Sequence, residues 1–255
     1  MKLIKIPSSL GSIKKNAGTE KAPDLIIDGL KDFYCAENGK IPEFSVEEVK
    51  VSKNLSDVHE QIKKHFEKIK EPFMAIGGDH STTYGIATAL KPAMLIFDAH
   101  PDLMQKFDPP THENYLRCLI ENNIVPKENI VLVGLRNWDK EEYDYLIENK
   151  ITFFSMATIA RDGIIDACDD VMSAVKNCSR LFISLDIDVL DPVFAPGTGY
   201  QEPGGLTSRE LLYFIERLKN LKNIIGWDLV EVNPDKDTNN LTVKTASKIV
   251  FEIAS

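Results

Sequence analysis

Short apolar runs alternate with amphipathic stretches along nearly the whole chain, and this alternation constrains its fold more than any other feature. "FMAIGG", "AMLIF", "IVLVGL", "ITFFS", "LFISLDI" and "NIIGWDLVEV" place apolar residues at successive positions, a pattern strands adopt when both faces are covered. "MKLIKI" reads as a first strand, and "SVEEVKV" alternates apolar and polar residues with period two. The first helix is expected in "APDLIIDGLKDF", with Pro23 near its start. A second is expected in "LSDVHEQIKKHFEKI", where Leu55, Val58, Ile62, Phe66 and Ile69 share a face and Ser56 and Asp57 are capping candidates. Further helices are expected around 82–90, 113–123, 139–149, 163–176, 207–220 and 240–253. Strands joined by helices imply an α/β fold with a mostly parallel sheet covered on both sides. No linker or repeat interrupts the pattern, so residues 1–255 are expected to form a single domain.

Composition removes several classes. Hydrophobic residues make up 43% and charged residues 27%, enough for a sizeable core and unlike a disordered chain. No apolar run is long enough to span a bilayer, and the N-terminus lacks the pattern of a secretory leader. Cys35, Cys118, Cys168 and Cys178 are scattered without a CxxC pair, which fits thiols in a reducing, cytoplasmic setting. The net charge of −9, with no basic block, argues against nucleic acid and is compatible with a small cationic substrate.

Polar residues collect where the strands end, the edge at which parallel α/β sheets gather ligands. "FMAIGGDHS" runs into Asp79 and His80, "AMLIFDAHPDL" into Asp98, His100 and Asp102, "LFISLDIDVLDP" into Asp186, Asp188 and Asp191, and "WDLVEVNPD" into Glu231 and Asp235. In an extended chain, Asp98 and His100 point the same way, as do Asp186 and Asp188. Carboxylates so gathered repel one another and are costly to desolvate, and a cation resolves both problems. Asp98, Asp102, Asp186 and Asp188, with His80 and His100, form an oxygen-rich set with some imidazole that suits Mn2+. The set exceeds the needs of one ion, so two bridged ions are expected, with a water between them activated as a nucleophile. His59 and His65 lie in the second amphipathic helix and read as structural.

In order and spacing, "GGDHS", "DAHPDL", "SLDIDVLDP" and "DLVEVNP" resemble the ureohydrolase family of arginases, agmatinases and related guanidino hydrolases, a likeness that extends over most of the chain. The resemblance implies a three-layer α/β/α domain and a homotrimer or homohexamer. It would place His80, Asp98, Asp102 and Asp186 around one manganese and His100, Asp98, Asp186 and Asp188 around the other, with Asp98 and Asp186 bridging. Glu231 matches the glutamate that grips the guanidinium group, and His112, in "PPTHENYLR", the loop histidine that shuttles protons to the leaving amine. Glu113 departs from the family, which usually has a small residue after that histidine, and this leaves a partly exposed surface role open for His112.

The substrate signals divide. "FAPGTGYQEPGGL" resembles the agmatinase form of its loop, though Tyr200 and Gln201 replace the usual pair and Tyr200 would reshape the pocket. Met104 stands where arginases carry an asparagine for the substrate carboxylate, and a thioether cannot donate to that group. Asp139, in "GLRNWD", matches an acidic residue that in arginases faces the α-amino group, but it can equally cap the helix beginning near Lys140. "SSLGSIKKNAGTEKAP" is closer to arginases. The expectation is agmatine hydrolysis to putrescine and urea, with arginine next and other guanidino compounds behind.

A metallophosphoesterase would need its motifs in the opposite order with a Gly-Asn-His stretch, and a deacetylase of related fold usually lacks "GGDHS" and "VEVNP". A non-catalytic guanidino- or amine-binding regulator on the same fold is the alternative of another class.

Overall fold

In the computed structural model, which describes residues 1–13, 17–70 and 72–255, the strands β1 (Lys2–Lys5), β2 (Ser45–Glu48), β3 (Phe73–Ile76), β4 (Ala93–Phe97), β5 (Ile130–Leu135), β6 (Thr152–Ser155), β7 (Leu181–Asp186) and β8 (Ile224–Val230) form one sheet. Its order is β2-β1-β3-β8-β7-β4-β5-β6 and every pairing is parallel.

The helices are α1 (Ala22–Gly29), α2 (Leu55–Phe66), α3 (Thr82–Leu90), α4 (Tyr115–Glu121), α5 (Lys140–Asn149), α6 (Met156–Asp162), α7 (Ile164–Val175), α8 (Ser208–Leu218) and α9 (Leu241–Ala254). Alternate strand residues feed two cores. Met74, Ile76, Leu95 and Phe97 pack with α1 and α6 to α9, whereas Phe73, Ala75, Met94 and Ile96 pack with α2 to α5. The doubly apolar strand runs thus have the three-layer arrangement they require.

The alternation in "SVEEVKV" gives the edge strand β2, with Ser45 to Glu48 exposed and Val49 buried just beyond it. Two local expectations need correction. Neither Ser56 nor Asp57 caps α2. Asn54 precedes the helix in an extended conformation, and its side chain accepts from the Asp57 N–H at 3.2 Å. Helix α6 was not expected: it buries only Ile159, so it leaves no periodic face to read, and it is set up by Ser155, whose side chain accepts from the Thr158 N–H.

The chain passes from β3 to β4 across the positions later filled by β8 and β7. The carboxyl ends of these four adjacent strands hold the acidic motifs, at the reversal in strand order where such sheets open a crevice.

Candidate active site

Backbone turns gather the site. Strand β4 stops at Phe97, earlier than a pleat carrying Asp98 and His100 would require. The Asp98 carboxylate instead accepts from the His100 N–H at 2.7 Å, and Asp102 adopts a left-handed backbone with φ of 54°. At the end of β7 the Asp186 side chain accepts from the Asp188 N–H at 2.8 Å as the chain enters a 3-10 turn. Aspartate favours such turns because its short side chain reaches the amide two residues on. These turns aim the groups at one another.

Two clusters result. One joins His80, Asp98 and Asp102, the other Asp98, His100 and Asp188, so Asp98 belongs to both. His80 Nδ1 lies 3.1 Å from Asp98 Oδ2, 3.0 Å from Asp102 Oδ2 and 3.2 Å from Asp186 Oδ2. His100 Nδ1 lies 3.1 Å from Asp188 Oδ2 and 3.6 Å from Asp98 Oδ1. All six residues named as ligands from the sequence therefore meet.

The other side of His80 shows what Nδ1 is for. Its Nε2 lies 3.0 Å from Ser184 Oγ and 3.0 Å from the Tyr115 hydroxyl. Ser184 donates to Asp228 at 2.6 Å, so its oxygen must accept from the ring, which puts the proton on Nε2. Thr83 donates to the second oxygen of Asp228, also at 2.6 Å. His80 Nδ1 is left buried, with a lone pair and no hydrogen-bond partner, facing carboxylates. That donor set fits a divalent cation.

The charges agree. Burial, then the Asp98 charge, pushes Asp102 up to about 7. Asp186 is also raised, by burial and by the charges of Asp188 and Asp98. Asp98 goes the other way: burial opposes its ionisation, but His100 and His80 outweigh that and lower its pKa. A bound cation favours the ionised form of carboxylates raised in this way.

Glu231 follows β8 with φ of 66°, a left-handed conformation costly for a non-glycine residue and common at functional sites. Its N–H donates to the Gly78 carbonyl at 2.8 Å, and its Oε1 accepts from the His80 N–H at 2.7 Å. His112 Nδ1 lies 3.2 Å from the same oxygen. His112 is buried, which removes the surface alternative. Its Nε2 accepts from the Ile13 N–H at 3.1 Å, so in this geometry the ring proton is on Nδ1, facing Glu231. Burial opposes a charged ring, but the Glu231 carboxylate outweighs it and pushes the pKa up to about 9; a second proton at Nε2 would displace Ile13. Asp79 secures the same segment by accepting from the Gly11 N–H at 2.9 Å. Lys14 to Asn16, within the arginase-like "SSLGSIKKNAGTEKAP", lie outside the described residues.

A cavity of about 190 Å³ opens over these groups, lined by His80, His100, Asp102, His112, Asp186, Asp188 and Glu231 on its floor and by Met104, Glu113, Asn137, Trp138, Asp139, Glu142 and Tyr200 on its walls. Asp139 is both a lining residue and the N-cap of α5, in a capping box with Glu142. His59 and His65 do not line it; burial pushes the His59 ring down to about 4.

Several supporting residues escaped the sequence reading. Ser184 is two residues before Asp186 on the same strand, and Asp228 is a carboxylate inside the otherwise apolar "IIGWDLV"; a buried charge in such a run was the available signal. Arg136 donates to the backbone carbonyls of Asp188 at 2.6 Å and Glu202 at 2.7 Å, tying the turn after β7 to the Tyr200 loop. No local pattern marks that role.

A family model described as "Arginase family" matches residues 1–255. The chain is 32% identical to an arginase of Staphylococcus aureus (strain COL), over 97% of this chain and 94% of that one. It is 32% identical to an agmatinase of Bacillus subtilis (strain 168), over 92% and 80% of the two chains. Among solved structures, formimidoylglutamase from Bacillus subtilis superposes with a TM-score of 0.92 at 26% identity, covering 99% of this chain and 85% of that one.

Proposed function

The chain belongs to the arginase family, of binuclear metal hydrolases acting on amidino groups, and from that premise we propose that it hydrolyses a guanidinoalkylamine, agmatine, to urea and putrescine. One observation carries the choice among guanidines: among the described residues, the cavity walls bear Glu113, Asp139 and Glu142 and no lysine or arginine. A carboxylate at the far end of the substrate would meet acidic groups and the Met104 thioether, whereas an ammonium would meet counter-charges. Arginine is the second reading, favoured by the Asp139 side chain in the wall and by the arginase likeness over 97% of the chain.

His80, Asp98, Asp102 and Asp186 would hold one Mn2+ and His100, Asp98, Asp186 and Asp188 the other. When bound, such a pair supplies a nucleophile from water at neutral pH and charge for the developing transition state. Glu231, held by the His80 N–H and His112, orients the planar guanidinium through charge-assisted hydrogen bonds. His112, positioned beside Glu231, passes a proton to the departing amine nitrogen, and the attacking water replaces it. Residues 1–255 act as one domain of a cytoplasmic homotrimer or homohexamer in this reading.

Urea release by the manganese-loaded protein, with agmatine, arginine and 4-guanidinobutyrate offered side by side, tests the proposal. The expected order puts agmatine first. Bound manganese with no urea from any of them would favour a guanidino- or amine-binding regulator instead.

A further inference from the structure

We propose that Glu113 is the specificity-determining receiver for a second cation on the substrate, braced by Tyr200. The inference rests on the guanidine-hydrolase reading and goes beyond it by assigning the distal end of the substrate to a residue. Glu113 Oε1 accepts from the Tyr200 hydroxyl at 3.1 Å, across the cavity from the adjoining loop. The same oxygen lies 3.9 Å from His112 Nε2, while the opposite ring nitrogen faces Glu231 at 3.2 Å. One imidazole therefore stands between a buried inner carboxylate and a half-exposed outer one. A substrate with a guanidinium at Glu231 and an ammonium a few bonds away spans that interval.

The other wall carboxylates are committed. Glu142 Oε1 accepts from the Leu103 N–H at 2.9 Å and its Oε2 from the Asp139 N–H at 3.0 Å. Asp139 is engaged at the start of α5. Among the described residues, Glu113 Oε2 accepts no hydrogen bond, and the phenol that donates to Oε1 fixes the carboxylate without neutralising it. The Tyr200 ring, 5.5 Å from the His100 ring and 6.0 Å from the His112 ring, adds an aromatic wall beside the place where an ammonium would sit. The same carboxylate repels a substrate that ends in an acid, so it selects by exclusion as well as attraction.

The test compares kcat and KM for agmatine, butylguanidine (which lacks the amine) and 4-guanidinobutyrate in the wild-type protein and in Glu113→Gln, with Tyr200→Phe as a second variant. Glu113→Gln is expected to lower the kcat/KM ratio of agmatine to butylguanidine about tenfold, mainly through KM, as for loss of one partly exposed charge-assisted contact. Inhibition by putrescine should weaken by a similar factor, 4-guanidinobutyrate should gain relative to agmatine, and Tyr200→Phe should shift the ratio in the same direction by less. Equal losses on all three substrates, or an unchanged ratio, would overturn the assignment while leaving the hydrolase reading intact. Absence of urea from every guanidine in the wild-type protein would remove both. Glu113 is half-exposed, so a melting temperature close to wild type is expected and separates specificity from folding.

Discussion

Ser184 Oγ donates to Asp228 Oδ1 at 2.6 Å, which leaves it to accept from His80, so the ring proton sits on Nε2 and Nδ1 is bare towards the acidic cluster. Asp228→Asn puts an amide in place of an oxygen pair that receives two hydroxyl donors. Manganese affinity at the His80 cluster should fall about 10- to 100-fold, the usual cost of losing a partner behind a ligand. Titration of metal-free protein with Mn2+ measures it, and wild-type affinity would show that the relay does not set the tautomer.

Asp98 is shared by both clusters, so Asp98→Asn should lose metal as well as turnover. A purified variant with two tightly held ions by elemental analysis and full activity would sink the bridging assignment.

For Glu231→Gln, Oε1 can still accept from the His80 N–H, so metal content should stay normal. The charge for the guanidinium is gone, and kcat/KM should fall on the order of 100-fold. Near-normal turnover would show that the guanidinium is held elsewhere.

Metal removal should expose a pH-dependent loss of stability. His112 is raised from 6.5 to about 9, so over that range the folded chain binds more protons than the unfolded one. Its stabilisation is complete below the window and is lost as pH rises through it. Asp102, raised from 3.8 to about 7, acts in the same direction at lower pH, while His59, lowered to about 4, opposes it only below 6.5. Chelator-treated protein should therefore melt at a lower temperature near pH 9 than near pH 7, by calorimetry, with a cost on the order of a few kcal/mol. Added Mn2+ should restore stability. A melting temperature that rises over this range would contradict the charge arrangement.

Gly78→Ala tests the seat of the site. A Cβ there would lie 1.9 Å from the Ser8 carbonyl oxygen, a backbone atom that cannot rotate away. The variant should lose about 3 kcal/mol, the cost of overpacking, and bind metal weakly because the turn carrying His80 shifts. Denaturant midpoints and metal content report the two effects, and wild-type values for both would mean that the segment at Ser8 moves freely.

Much of the site was legible because its acidic and imidazole groups follow strands. Asp98, His100, Asp186 and Asp188 are spaced two apart after apolar runs, and both runs end at the same edge of a parallel sheet. The reason given for their convergence was wrong in detail: the turns made by Asp98 and Asp186 aim them, and the pleat does not. Asp139 is at once the N-cap of α5 and a lining residue of the cavity, so a capping role and a place beside the substrate do not exclude each other. His112 was less legible, because its burial depends on Gly11 and Ile13, about a hundred residues away along the chain.

By itself, then, the sequence determined the layered fold, the edge at which ligands collect and the identities of the groups at that edge. The first two follow from periodicity, a local property of the chain, and the third from the residue types that stand after each apolar run. Only the tertiary structure decided which nitrogen of His80 is exposed to the cluster, which wall carboxylates are committed, and that Tyr200 reaches across to Glu113. Those depend on contacts between segments far apart in sequence, where a hydrogen bond of about 3 Å is set by packing and leaves no periodic trace.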